Sequence, residues 1–220
     1  RLYKCATPVT PEWLNTYKEI YKKQRKIEHK VVYEFEEESI TTIRPIIPNR
    51  MQSSALESLK LLRSEGHKKA LLISATGTGK TYLSTFDVKL VNPKKFLFVV
   101  HRENIARTAM KSFKRIFGNS KKMGVLTGSE KDLEAEYIFS TIQTLSKPDI
   151  LKKFATTHFD YIVIDEVHRS GAKSYKTILE YFTPKFLLGL TATPERTDGF
   201  DIFNAFDYNI AYEIRLNMAL

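Results

Sequence analysis

From Arg50 onward, short continuous apolar runs alternate with longer stretches in which apolar residues recur every three or four positions. The runs at 71–73, 96–100, 137–139, 161–164 and 186–190 are too short for helices, and their unbroken apolarity predicts strands buried on both faces. Helices are predicted at 51–65, where Leu56, Leu59 and Leu62 share a face and Gly66 supplies a left-handed cap, and at 81–90, 103–117 and 174–182. Strand and helix in alternation predict an α/β fold, a mostly parallel sheet flanked by helices.

Residues 1–43 have a different texture. Trp13, Tyr17, Ile20 and Tyr21 fall on one helical face, a basic run covers 22–26, and Glu34, Glu36, Glu37 and Glu38 then interleave with Val32, Phe35 and Ile40. The pattern predicts a short helical and strand connector, or the tail of an upstream domain. One domain follows at 44–212, and 213–220 is assigned to the start of a linker. The chain begins without Met, and it is expected to be a piece of a longer protein.

Each predicted strand runs into a polar cluster: 74–81, 101–103, 140–143, 165–168 and 191–194. In an open α/β sheet the carboxyl ends of the strands are where ligands bind, because loops converge there and helix N-termini point inward. The first cluster, Ser74 followed by Ala75, Thr76, Gly77, Thr78, Gly79, Lys80 and Thr81, is a phosphate-binding loop. Its glycines let successive N–H groups face phosphate oxygens, Lys80 adds a point charge, and the Thr81 hydroxyl suits Mg²⁺. Serine stands at position 74 where the general pattern has glycine. After the run at 161–164, Asp165 can hold the metal and Glu166 can orient and deprotonate a water.

Composition narrows the partners. At 42% hydrophobic and 27% charged, the chain is globular rather than disordered. A net charge of +10 favours an anionic partner, nucleic acid being the commonest, although a merely soluble surface can also carry such charge. The single Cys5 excludes an internal disulfide framework and a cysteine-rich metal site, and it suits a reducing cytoplasm. No apolar run approaches the ~20 residues of a membrane span, so no membrane partner is expected. The 11 Tyr and 14 Phe fall mostly on strands and apolar helix faces, which predicts core packing rather than base stacking.

The segments 75–81, 165–168 (Asp-Glu-Val-His) and 189–194 (Gly-Leu-Thr-Ala-Thr-Pro) resemble motifs I, II and III of superfamily 2 helicases of the DExH type. Their form is similar to that of restriction-enzyme motor subunits of the type III kind and related DNA translocases. The resemblance covers about 45–220 and implies a RecA-like P-loop NTPase domain that binds ATP and Mg²⁺. It implies an adenine-reading role for Gln52 and stacking on the base for Arg50. His101, Arg102 and Asn104, then Thr127 and Gly128, then Thr141 and Gln143, match the family's contacts to the nucleic-acid backbone. His168, Thr191 and Thr193 match residues that couple the nucleotide site to movement.

The implied activity is ATP-driven movement on nucleic acid, with double-stranded DNA as the expected substrate and a second RecA-like domain of the same chain and a nuclease domain or subunit as expected partners. In the family that second domain supplies arginines to the site, so residues 1–220 alone are expected to bind ATP yet hydrolyse it barely. Two alternatives stay open, an RNA-remodelling helicase and a nucleotide-gated DNA-binding module of a restriction or repair complex.

Overall fold

The computed structural model describes residues 46–75, 77–167, 173–193 and 201–214. The predicted connector at 1–43 lies outside them, as do Thr76 and His168. Seven strands form one sheet: β1 (Lys69–Ser74), β2 (Phe96–Val100), β3 (Met123–Leu126), β4 (Tyr137–Thr141), β5 (Tyr161–Ile164), β6 (Phe186–Thr191) and β7 (Ile210–Ile214). The order across the sheet is β3-β4-β2-β5-β6-β1-β7, and every neighbouring pair is parallel.

The long helices are α1 (Arg50–Ser64), α2 (Lys80–Val91), α3 (Glu103–Phe117) and, later in the chain, α6 (Lys173–Tyr181). Single-turn helices α4 (Ile142–Leu145), α5 (Pro148–Leu151) and α7 (Ile202–Ala205) complete the described elements.

The unbroken apolar runs resolve into two faces because successive strand side chains point to opposite sides. Leu72, Phe96, Phe98, Phe139, Tyr161 and Leu188 pack under α1, α2 and α3, meeting Leu59, Phe86 and Phe113. Leu71, Ile73, Leu97, Val99, Ile162 and Ile164 pack on the other face against Ile142, Leu151, Ile178 and Ile202. Among the described residues most Phe side chains are core: Phe96, Phe98, Phe113 and Phe139 are fully buried with Tyr137 and form a connected set of ring contacts. Each such burial contributes about 2–3 kcal/mol.

Two strands go beyond those predicted. β3 is four residues long and contains Gly124, whose missing side chain admits Asp132 and Ala135; a Cβ there would lie 2.4 Å from that of Asp132. β7 has only the short apolar run Ile210 to Tyr212, broken by Glu213, and as the outer strand beside β1 it leaves Ile210 41% exposed. It also takes Glu213 and Ile214, assigned by sequence to the linker, into the sheet.

Far from the strands' carboxyl ends, a buried ionic cluster ties three elements together. Asp87 of α2 is fully buried and accepts two hydrogen bonds from the Arg63 guanidinium of α1, at 2.7 and 2.9 Å. The Tyr161 hydroxyl, at the start of β5, donates to the same carboxylate. Burial and the Asp87 charge push the Tyr161 phenol well above its ordinary range, so it remains a donor.

Candidate functional site

The parallel sheet places the ends of β1 to β6 on one edge, and every predicted site residue among the described ones follows or ends one of these strands except Arg50 and Gln52 of α1. The strand order then divides this edge. The loops after β3, β4 and β2 are neighbours on one half, while those after β5, β6 and β1 are neighbours on the other. Residues matched to nucleic acid lie on the first half and residues matched to nucleotide on the second. Because β6 intervenes between β5 and β1, two strand spacings, roughly 10 Å, separate the carboxylate loop from the phosphate loop at the backbone.

The phosphate loop turns from β1 into α2 through two left-handed residues, Gly77 (φ +83°) and Gly79 (φ +79°). Non-glycine residues adopt this region at a cost, and at Gly79 a Cβ would also meet the Gln52 side-chain nitrogen at 2.9 Å. The Lys80 ammonium donates to the carbonyls of Ser74 (2.8 Å) and Ala75 (3.0 Å), which holds it across the loop. Burial lowers its pKa, against the attraction of Asp165 and Glu166. Ser74 takes the place of the expected glycine without strain. Its buried hydroxyl is hydrogen-bonded to that of Thr78, which in turn donates to the Ala75 carbonyl at 2.8 Å.

Gln52 is 8% exposed, not a solvated first-turn residue. Its amide oxygen accepts the Asn49 N–H (3.0 Å) and its backbone N–H donates to the Asn49 side chain (2.8 Å), closing a capping box at the start of α1. The amide nitrogen donates to the Gly79 carbonyl at 3.3 Å. One side chain thus joins the helix start to the phosphate loop and still has one acceptor lone pair and one N–H to offer. Arg50, the first residue of α1, is exposed.

Asp165 and Glu166 follow β5 directly, and both side chains are half-buried. Glu166 has φ +55°, a conformation that side-chain-bearing residues adopt only where the surroundings enforce it, and its N–H donates to the Asp165 carboxylate at 3.0 Å. Burial, with repulsion from Glu166 added, pushes the Asp165 carboxyl up to about 6, against that hydrogen bond and Lys80. Two carboxylates crowded together beside a single ammonium form a site where a divalent cation would offset charge. Among the described residues no group of three or more His, Cys, Asp or Glu could hold a metal alone. A cation here would therefore be shared between one carboxylate, a threonine hydroxyl and ligand or water oxygens, the coordination that Mg²⁺ favours.

A pH prediction follows from Asp165. With a folded value of about 6 against 3.8 for the ordinary group, the native state binds a proton between those values that the unfolded chain does not. Its ionised form therefore weakens the fold at neutral pH, and the penalty fades as pH falls through 6 toward 4. Asp165→Asn is expected to raise metal-free stability at pH 7 by up to about 3 kcal/mol, with little gain at pH 4. Urea unfolding of both proteins at the two pH values measures this, and a variant less stable at pH 7 would contradict it.

On the other half of the edge, Arg102, Asn104, Gly128 and Gln143 are exposed, while His101 is half-buried. Thr127 and Thr141 are buried instead. Thr127 shapes the turn after β3, its N–H donating to the Glu130 carbonyl, and the Thr141 hydroxyl donates to that of Thr144 at 2.9 Å. The sequence treated these loops as separate contacts, but Glu103 and Arg107 of α3 join two of them. The Glu103 carboxylate accepts Arg107 (2.8 Å) and Ser129 (2.8 Å), while Arg107 also pairs with Glu130 (2.8 Å). Hydrogen bonds from Arg107 and Ser129 hold the Glu103 carboxyl below its usual range. Their i,i+4 spacing is a visible signal, though the partners across the loop are not. Thr191 is fully buried at the end of β6, and its hydroxyl accepts the Thr193 N–H at 3.2 Å.

A parallel sheet between two helical layers, with a phosphate loop and a carboxylate pair flanking its central strand ends, defines a RecA-like P-loop domain. The type III restriction enzyme res-subunit model matches residues 45–196, more than half of the chain, and the protein belongs to that family. The type I restriction enzyme EcoAI endonuclease subunit of Escherichia coli is 33% identical over 162 residues, covering 68% of this chain and 20% of that protein. The DNA 3'-5' translocase XPB2 of Sulfurisphaera tokodaii is 23% identical across 81% of this chain and 39% of its own length.

Among solved structures, the type ISP restriction-modification enzyme LlaBIII bound to DNA superposes with a TM-score of 0.64 at 17% identity, over 80% of this chain and 15% of that one. The Pyrococcus furiosus Hef helicase domain gives 0.59 at 23%, over 72% and 37%. These two likenesses show the fold. The chain spans about a fifth of the EcoAI subunit's length.

Proposed function

We propose that this domain is the ATP-binding half of a motor that couples ATP hydrolysis to movement on DNA. The observation that carries the reading is the divided edge: a phosphate loop with Lys80 and a half-buried carboxylate pair on one half, and exposed Arg102, Asn104 and Gln143 on the adjoining half. Family membership and relatives described as a restriction endonuclease subunit and a DNA translocase support it.

In this reading the loop amides and Lys80 bind the phosphates, the ammonium exchanging the Ser74 and Ala75 carbonyls for phosphate oxygens. Gln52 reads the adenine edge with its remaining acceptor and donor, and Arg50 lies against the base. Mg²⁺ bound by Thr81 and Asp165 would neutralise charge on the β and γ phosphates. Glu166, held in its left-handed conformation, orients the attacking water and takes its proton. Thr191, buried between the two loops, with Thr193 and His168, passes the state of the γ phosphate onward. The N-terminal connector at 1–43, a domain from 44 through the end of β7 at Ile214 and a second RecA-like domain complete the proposed organisation, with a nuclease domain or subunit as a further partner and a cytoplasmic setting.

Lys80→Ala is expected to remove measurable ATP binding by calorimetry while leaving the thermal midpoint within a few degrees of wild type. Binding equal to wild type would take this loop out of the site. For the second half of the edge, DNA affinity of the intact protein should fall steeply with salt and show little sequence preference, because backbone contacts release counterions. Fluorescence anisotropy across a salt series reads this directly. A flat response would assign the +10 charge to solubility, and preference for RNA over duplex DNA would favour a remodelling helicase.

A further inference from the structure

One cavity lies well away from the candidate nucleotide site. With a volume of about 520 Å³, it opens at the amino-terminal edge of the sheet, beneath the starts of β2, β5, β6 and β1. Its size is that of a ligand pocket. Val91, Pro93 and Phe186 give it apolar walls, and Val91 is 39% exposed beside Leu90 at 69%.

The rim is cationic, and most of its charges are already engaged. Arg63 is bound by Asp87 and lies 5.0 Å over the Phe186 ring; Lys185 pairs with Asp160 at 2.9 Å; and His67 lies 3.6 Å from Glu65. Asp160 is itself saturated. Burial would raise its pKa, but Lys185 and the amides of Lys95 and Lys94 prevail and hold it low. Lys68 and Lys94 remain, both exposed and with no side-chain partner among the described residues. They stand before β1 and β2, three strand spacings or about 14 Å apart at the backbone.

We propose that this cavity docks an extended acidic peptide segment of a partner protein, with carboxylates four residues apart and an apolar side chain midway between them. An extended chain rises ~3.3 Å per residue, so positions i and i+4 are ~13 Å apart, and i, i+2 and i+4 share one face. The two carboxylates then meet Lys94 and Lys68 while the central side chain enters between Val91, Pro93 and Phe186. A nucleic-acid duplex fits the site less well. It offers an even line of phosphates, one charge per ~1.7 Å of axis, and no apolar group to fill the floor.

The test uses the intact protein and a fluorescein-labelled heptapeptide with glutamate at its second and sixth positions, phenylalanine at the fourth and glycine elsewhere. Anisotropy should show saturable binding that the double variant Lys68→Glu, Lys94→Glu weakens about tenfold or more. The double variant Lys68→Arg, Lys94→Arg should retain binding, and ATP affinity should be unchanged in both. A peptide with serine in place of phenylalanine should bind about tenfold more weakly. Equal binding by the charge-reversed protein or by the serine peptide overturns the proposal, as does absence of binding to wild type. Displacement of the peptide by a short DNA duplex would overturn it in favour of a nucleic-acid surface.

Discussion

Glu166→Gln in the intact protein is expected to keep Mg²⁺-ATP bound while turnover falls by about 10²–10⁴-fold, the range associated with loss of a positioned general base. The substitution is isosteric and leaves the Asp165 carboxylate, the Thr81 hydroxyl and Lys80 in place. What it removes is the proton acceptor. The backbone holds Glu166 at φ +55°, and its N–H is tied to the Asp165 carboxylate, so the turn that carries the side chain is fixed by the main chain. Glutamine should keep this geometry, since the hydrogen bond is made by the main chain. A phosphate-release assay beside an ATP titration separates the two effects. Loss of binding together with turnover would make Glu166 part of the metal or phosphate shell, and unchanged turnover would move the base elsewhere.

The second large effect concerns stability. Asp87→Ala removes the carboxylate that engages Arg63 and Tyr161, leaving a half-buried guanidinium and a fully buried phenol without their acceptor. Breaking a buried ion pair from one side costs about 3–5 kcal/mol, a large fraction of a domain's net stability. The loss should appear as a lower urea midpoint. Replacing Arg63 by Met and Asp87 by Leu together should recover part of it, because no buried charge is then left unpaired while the Tyr161 hydroxyl still lacks its acceptor. Equal destabilisation by the single and double variants would mean that packing, not charge, dominates. The cluster anchors the far ends of α1, α2 and β5, whose opposite ends carry Gln52, Lys80 and Asp165, so a partial phenotype at the nucleotide site is expected as well.

Local signals along the chain were strong because they depend on local physics. Strands β2 and β5 and helix α3 have the boundaries that apolar runs and periodicity predict, and the phosphate loop is legible because glycine takes its left-handed turns without the cost a side chain incurs. β3 and β7 were not legible. One is four residues with an internal glycine, and the other is an outer strand whose short apolar run is broken by Glu213.

Chemistry at the site was partly readable for the same reason. Asp165 and Glu166 are adjacent in sequence, but the rise of the Asp165 carboxyl to about 6 depends on burial that no local pattern encodes. Nor does sequence separate Arg102, Asn104 and Gln143, which are exposed, from Thr127 and Thr141, whose hydroxyls turn inward.

By itself, the sequence determined the alternation of strand and helix, the phosphate loop and the carboxylate pair, since each is a property of residues within a few positions of one another. Only the tertiary structure decided strand order. That order places β5 and β6 between β1 and β2, seats β6 between β1 and β5, and so puts the loops after β5, β6 and β1 on one half of the edge and those after β3, β4 and β2 on the other. It also brought Gln52 to Gly79 across 27 residues and Asp87 to Tyr161 across 74. Contacts at such separations are selected by the packing of whole layers, where a side chain's partner is whatever the neighbouring element presents, and no local periodicity carries that information.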